Sequence, residues 1–302
     1  MVKLKKPMKG EDLEIDSDAA LDALSWPQLG TPKLDGIRSV KIGNKALSSS
    51  FKDIPNLYVQ KRMKETPEGC DGELITVGDS FNDVQSGIMS EDGEPNFQFW
   101  VFDYITDSLT EPYSERMKKL KKLVLPDFCK KLLPTVLNNK EELIAFEAKC
   151  LAEGHEGIMI RSPDGPYKCG KATVREGWLL KVKRFCDSEA VILGFEEQME
   201  NTNEATIDEL GKTKRSKHKA NMMPKDTLGK FLVREIGDTP WKGREFKIGT
   251  GKGLTAELRK KVWDNQAAYM GKIITYKYQK HGIKELPRLP IWKWFRDPRD
   301  MS

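Results

Sequence analysis

Lys33, in the run Thr31-Pro32-Lys33-Leu34-Asp35-Gly36-Ile37-Arg38, is answered far downstream by Leu180-Lys181-Val182-Lys183. A lysine amine at its ordinary pKa of about 10.4 is protonated at neutral pH and inert as a nucleophile. Burial and neighbouring cations disfavour the ammonium form, which is how reactive lysines are made. Arg38 follows past the Gly36 turn, and Lys181 and Lys183 share one face of a strand because strand side chains have period two. If that strand lies against the Lys33 loop, the cations surround the amine and also suit a triphosphate. Read alone, Lys33 is a turn lysine, and the lysine pair is the wet face of an amphipathic strand.

Two glutamates stand beside glycines at strand starts, in Asp71-Gly72-Glu73-Leu74 and in Glu156-Gly157-Ile158-Met159-Ile160-Arg161. Glycine lets a backbone approach a ligand closely, and hard carboxylate oxygens suit Mg²⁺, which typically takes one or two carboxylates plus substrate phosphates. Phe102 ends an aromatic run before Asp103, where a ring either packs in the core or stacks on a purine. His155 has no Cys or Asp pattern around it and reads as a hydrogen-bonded structural residue.

The elements that must hold these residues follow from periodicity. Residues 11–24 show helical spacing, with Leu13, Ala20, Leu21 and Leu24 on one face and Trp26-Pro27 as a stop. Short strands are expected around Val40–Ile42, with a hairpin turn at Gly43-Asn44, at Leu74–Val77 before Gly78-Asp79, and at Phe97–Phe102. Residues 113–151 read as helix with a break at Leu133-Pro134-Thr135-Val136, and strands return at Gly157–Arg161 and Gly177–Val182. This is an α+β domain built on antiparallel strands. After Phe185-Cys186-Asp187 come strands at Ala190–Phe195, Gly229–Glu235, Glu245–Ile248 and Ile273–Tyr278, a polar stretch from Gln198 to Asp226, and a short helix at Thr255–Asn265. Such a set fits a small OB-type β-barrel.

A chain of 302 residues leads to two domains, 1–186 and 187–302. The first half carries 28 Lys+Arg against 29 Asp+Glu and the second 23 against 17, so the net +5 resides in the C-terminal module. A basic module suits a polyanion, because phosphate neutralisation supplies most sequence-independent affinity for nucleic acid. The basic run Lys212-Thr213-Lys214-Arg215-Ser216-Lys217-His218-Lys219 is the candidate grip on duplex backbone. Five scattered cysteines without a C-x-x-C indicate neither a disulfide framework nor a thiolate zinc site. No apolar run approaches the roughly 20 residues of a membrane span, and acidic residues 11–14 stand where a secretory signal would be apolar. The expected location is the cytoplasm.

In chain order, Lys33-Leu34-Asp35-Gly36-Ile37-Arg38, Asp71-Gly72-Glu73-Leu74, Trp100-Val101-Phe102-Asp103, Glu156–Arg161, Leu180-Lys181-Val182-Lys183 and Phe295-Arg296-Asp297 resemble the covalent nucleotidyltransferases. They look specifically like the compact ATP-dependent DNA ligases of bacteriophages and bacteria. Asn201–Ala205, Thr213–Ser216, Phe246–Gly251 and Pro287–Pro290 extend the likeness through the C-terminal half.

The resemblance implies a nucleotidyltransferase domain followed by an OB-fold domain, ATP with Mg²⁺ or Mn²⁺ as cofactors, and a monomer acting on nicked double-stranded DNA in replication, repair or recombination. Lys33 would take AMP as a phosphoramidate, AMP would pass to the nick 5′-phosphate, and the 3′-hydroxyl would displace it. Thr31, Pro32 and Leu34 would line the nucleotide site, Asp35 would order the lysine loop, and Arg38 would contact phosphate and nick. Glu73 would meet ribose or metal, Phe102 would stack on adenine, and Glu156 would help hold the metal. Lys181 and Lys183 would bind the α-phosphate, Arg161 would add a nucleotide contact, and Arg296 would orient pyrophosphate as the second domain closes.

The sequence departs from the pattern at Leu47-Ser48-Ser49-Ser50-Phe51-Lys52, where relatives place an arginine after the serine. Lys52 would replace that charge near Ser49 without the bidentate fork of a guanidinium. A guanylyltransferase would take GTP instead, an RNA ligase would prefer RNA ends, and a non-catalytic duplex binder would form no adenylate.

Overall fold

A computed structural model describes residues 4–14, 19–76, 87–207, 213–216, 221–251, 253–279 and 285–296. The expected Gly78-Asp79 turn and Lys217 lie outside the described residues, as do the side chains of Lys183 and Lys214. The chain divides into two compact units, Met1–Lys183 with Ile207–Lys214, and Arg184–Thr206 with Arg215–Ser302.

The first unit is built on two five-stranded sheets. One contains β2 (Glu11–Glu14), β3 (Gln28–Pro32), β9 (Thr135–Leu137), β10 (Ile158–Arg161) and β12 (Leu180–Lys183), in the order β2-β12-β10-β3-β9. The other contains β4 (Ile37–Ile42), β5 (Lys45–Ser48), β6 (Cys70–Thr76), β7 (Phe97–Tyr104) and β8 (Cys129–Lys131), in the order β5-β4-β6-β7-β8. A small parallel pair joins β1 (Met8–Lys9) to β11 (Gly170–Lys171). The helices of this unit include α1 (Ala19–Asp22), α2 (Leu57–Met63), α3 (Tyr113–Lys122) and α4 (Lys140–Ala152). Asn56 and Asn139 start α2 and α4 by accepting hydrogen bonds from Val59 N and Glu142 N, satisfying N–H groups that the first turn leaves unpaired.

Three sequence-based expectations change. The helix over residues 11–24 is a strand at Glu11–Glu14 followed by the single turn α1, because β2 pairs in parallel with β12, Leu13 opposite Val182. Leu13 and Leu21 are both buried as their spacing required, but long-range pairing overrides local helical preference. The break between the two helices of residues 113–151 is not a bare loop; it contains β8 and β9. The sheets are also mixed rather than purely antiparallel, since β2–β12 and β7–β8 run parallel, α3 lying in the connection between the latter two.

The second unit is a closed barrel of β13 (Phe185–Asn201), β16 (Met222–Glu235), β17 (Glu245–Gly249), β18 (Ile273–Gln279) and β19 (Arg288–Phe295), in the order β13-β16-β17-β19-β18. The short strands β14 (Ala205–Ile207) and β15 (Thr213–Arg215) form a separate two-stranded sheet, and α5 (Ala256–Asp264) and α6 (Gln266–Tyr269) precede β18. Much of the polar stretch after Gln198 thus continues the long strands β13 and β16. The expected division at 186/187 falls inside β13.

Among the described residues the second unit buries one carboxylate, Glu235, which accepts hydrogen bonds from Ser188 Oγ and from Tyr276 Oη at 2.6 Å; Trp241 Nε1 in turn donates to Tyr276 Oη at 2.9 Å. Removing one partner from such a network leaves the others dry and unpaired. Tyr276→Phe is therefore expected to lower the unfolding free energy by about 2 kcal/mol, read as a reduced urea midpoint with unchanged slope.

Candidate active site

A cavity of about 210 Å³ draws its walls from both sheets of the first unit. From one come Thr31 and Pro32 at the end of β3, Lys33 and Leu34 just after it, Met159 and Arg161 on β10, and Leu179 and Lys181 at β12. From the other come Arg38 on β4, Glu73 on β6, Phe102 on β7 and Leu132. Alternation explains the pairs: Met159 and Arg161, like Leu179 and Lys181, are two residues apart and share a face.

Lys33 leaves β3 where its backbone N–H donates to Gly157 O at 2.9 Å, and its Nζ forms an ion pair with Glu156. The electrostatics differ from a lysine ringed by cations, since a carboxylate contacts it directly. Lys181 is separated from β3 by β10 and sits 3.6 Å from Asp12. Gly36 and Gly72 are required by close approach rather than by unusual dihedrals: a Cβ on Gly36 would lie 2.4 Å from Leu74 O, and one on Gly72 2.4 Å from Trp100 O.

Both cavity guanidiniums are anchored from behind. Arg38 makes a two-pronged pair with Asp71, Nε to Oδ1 at 2.8 Å and Nη2 to Oδ2 at 2.6 Å. Arg161 Nη1 donates to Asp103 Oδ2 at 2.5 Å, while Arg116 from α3 holds the same carboxylate through Nε at 2.7 Å and Nη2 at 3.1 Å. The side chains of Asp71 and Asp103 have 0% exposure. Burial alone would push Asp103 up, but Arg116 and Arg161 outweigh it and hold the carboxyl below its ordinary range.

Phe102 lies between these anchors. On β7, Asp103 pairs with Asp71 and Val101 with Gly72, so Phe102 is the extra residue of a β-bulge. The bulge falls at the cavity, where the ring is a wall residue, with Arg38 Cζ 5.0 Å and Arg161 Cζ 5.6 Å from its centroid. Glu73 faces the same space, and burial pushes its carboxyl up to about 7 against the pull of Arg38 and Lys33.

The remaining expected site residues lie elsewhere. Asp35 is exposed beside the lysine loop, and the backbone of Lys183 continues β12. Ser49 and exposed Lys52 belong to a tight turn closed by Ser48, whose N–H donates to Lys52 O at 2.7 Å and whose carbonyl accepts from Phe51 N at 2.8 Å. Arg215, exposed on β15, donates to Asn203 O, and Arg296 at the end of β19 pairs with Glu189 at 2.6 Å within the second unit. His155 follows α4, its N–H donating to Cys150 O at 2.9 Å. All five cysteines are free thiols. Among the described residues no helix is long and apolar enough to cross a membrane.

Sequence reasoning missed Leu132, Leu179 and Arg116. Met159 and the two anchoring aspartates stood inside quoted motifs, but nothing marked them as supports. Arg116 has the composition of a solvated helix face, yet its side chain is 1% exposed.

A family model described as an ATP dependent DNA ligase domain matches residues 53–183, and one described as a DNA ligase OB-like domain matches residues 221–296. The crystal structure of Chlorella virus DNA ligase-adenylate shares 31% identity, with 97% of this chain and 100% of that one covered and a TM-score of 0.55. A Lig E DNA ligase structure, at 21% identity and TM-score 0.65 over 95% of this chain and 99% of that one, shares the fold. A probable DNA ligase of Mycobacterium sp. (strain KMS) is 28% identical over 200 residues, 59% of this chain and 37% of that protein. The chain thus spans well under half the length of the curated relatives it matches. Two ligase domains in the right order, together with 31% identity across the whole of the Chlorella virus enzyme, establish that the chain belongs to the ATP-dependent DNA ligase family.

Proposed function

We propose that this chain seals nicks in duplex DNA through a lysyl-AMP intermediate on Lys33. The observation that carries the reading is the cavity in which Lys33, Arg38, Glu73, Phe102, Arg161 and Lys181 converge from two sheets. ATP would place its adenine against Phe102 and the apolar walls of Leu132, Met159 and Leu179, with its phosphates toward Lys181 and Arg38. Lys33 Nζ would attack the α-phosphorus as the bond to pyrophosphate breaks, and Glu156, already in contact with Nζ, is placed to receive the proton the ammonium must lose. Preset cations cost no reorganisation as charge builds on the phosphate oxygens.

The donor set also fits a divalent cation. Among the described residues no group of three or more His, Cys, Asp or Glu side chains converges, but Mg²⁺ is commonly held by one or two carboxylates and substrate phosphates. Glu73 and Glu156 would hold Mg²⁺ or Mn²⁺, which would supply neutralisation of phosphate charge. Lys183 would extend the phosphate contacts of Lys181, Asp35 would support the lysine loop, and Arg296 would orient the leaving pyrophosphate.

The AMP would then pass to the 5′-phosphate at the nick, and the 3′-hydroxyl would displace it to form the phosphodiester. Ser49, Lys52, Lys214, Arg215 and Lys217 are proposed to contact the DNA backbone of a nick bound by one protein monomer, in a cytoplasmic setting.

Incubation with ATP labelled at the α-phosphate should label wild type and not Lys33→Ala, GTP should label neither, and the variant should retain nick binding. No covalent adenylate in wild type under any divalent metal would defeat the proposal. Neutralising Lys214, Arg215 and Lys217 should weaken nick binding and flatten its dependence on salt, by about one unit of slope for each phosphate no longer neutralised; an unchanged slope removes the DNA-grip assignment.

Glu73 gives a pH signature in the nucleotide-free protein. Its carboxyl titrates near 7 when folded against an ordinary 4.5, so the folded state holds the extra proton between those values. That contribution to stability is present below pH 4.5 and is lost as pH rises through 7. Glu73→Gln, permanently neutral, should gain stability relative to wild type between pH 5 and pH 8 in urea titrations; parallel curves would contradict the burial of this carboxyl.

A further inference from the structure

Arg38 is fixed by more than its own ion pair. Asp71 Oδ2, which accepts from Arg38 Nη2, also accepts from the hydroxyl of Tyr167 at 2.6 Å. The Tyr167 oxygen in turn accepts from the backbone N–H of Met8 at 3.1 Å. That N–H leaves the hydroxyl one direction in which to send its proton, toward Asp71. Tyr167 and Met8 are each 1% exposed, and Asp71 is sealed from solvent, so water does not substitute for either hydrogen bond. The segment carrying Met8 is held in place by β1–β11 pairing and by Ala172 N donating to Lys9 O at 2.8 Å. Burial first, and Asp71 second, push the Tyr167 phenol well above its ordinary range, so the hydroxyl stays a donor across the working pH.

We propose that Tyr167 is a positioning residue for the adenylyl-transfer chemistry, coupling the N-terminal strand β1 through Asp71 to the guanidinium of Arg38. Tyr167 is not among the residues lining the cavity; it aims Arg38 by tying Asp71 Oδ2 to the backbone of β1, so that the two-pronged Arg38–Asp71 pair is fixed to the fold rather than free to swing as a unit. Without its hydroxyl, the Met8 N–H is buried with no acceptor and Asp71 keeps Arg38 as its remaining charged partner. The guanidinium then samples orientations off the phosphate. Because Arg38 acts on phosphate rather than base, the loss falls on the rate of transfer at saturating ATP rather than on ATP affinity.

The inference rests on the lysyl-AMP reading, and the experiment separates the two. Single-turnover rates of Lys33 adenylylation, of AMP transfer to the nick and of sealing are measured for wild type, Tyr167→Phe, Arg38→Ala and the double variant, each well below its own unfolding temperature. Tyr167→Phe should slow, by about ten-fold, the steps that Arg38→Ala slows, with the ATP concentration for half-maximal rate shifting by less than about two-fold. The double variant should be no slower than Arg38→Ala alone, and Tyr167→4-aminophenylalanine, which keeps an N–H donor toward Asp71, should restore most of the rate. If Tyr167→Phe does not fold, Tyr167→4-fluorophenylalanine, close in shape and also lacking the donor, takes its place. Losses that multiply in the double variant, a slowing of any step that Arg38→Ala leaves unchanged, or an unchanged rate would each overturn the proposal. Failure of wild type to form any adenylate would instead defeat the underlying reading.

Discussion

The site depends on two carboxylates that see no solvent. Arg38 and Arg161 point into one cavity with Lys33 and Lys181, a gathering of positive charge that would repel itself apart without fixed counter-charges behind it. Asp71 and Asp103 supply them from adjacent places on β6 and β7, where they face one another in register. Ionised groups this deeply buried persist only when their hydrogen-bonding capacity is filled. Asp71 is filled by Arg38 and Tyr167, and Asp103 by Arg116, Arg161 and the Tyr104 N–H. Removing a single partner from such an arrangement typically costs about 3–5 kcal/mol, because the remaining charge is stranded. Rigidity of the cationic surface and stability of the fold are thereby the same property.

The cavity also balances its charge. Lys33 is matched with Glu156, Lys181 lies near Asp12, and Glu73 takes up a proton near neutrality under the pressure of burial. An arriving polyphosphate would meet cations already oriented and carboxylates able to exchange partners, so much of the ordering cost is met during folding rather than during binding.

The sequence showed the chemistry of this site more fully than its supports. Lys33, Glu73, Phe102, Arg161 and Lys181 announce themselves because glycine turns and strand-ending residues leave a local trace. Arg116 left none, since an arginine among lysines and glutamates on α3 has the pattern of a wet helix, and only the distant position of Asp103 draws it inside. Residues 11–14 misled for a related reason: their spacing is helical, but a partner strand nearly 170 residues away decides their conformation. The barrel was legible as a class from its strand signals, whereas β19, rich in tryptophan yet interrupted by Pro290, was not placed. Local propensity reports on neighbours in the chain, and these features are settled by neighbours in space.

Phe102 reaches the cavity because β7 holds one residue more than β6 between two matched pairs. A strand that delivers a ring to the cavity wall by counting one residue too many makes length, more than composition, the guarded quantity between Val101 and Asp103. An exchange of one ring for another would leave the phase of β7 intact. Loss of one residue would restore regular pairing with β6 and, in doing so, erase both the projection into the cavity and the Phe102 carbonyl that accepts from the Tyr113 hydroxyl at 3.1 Å.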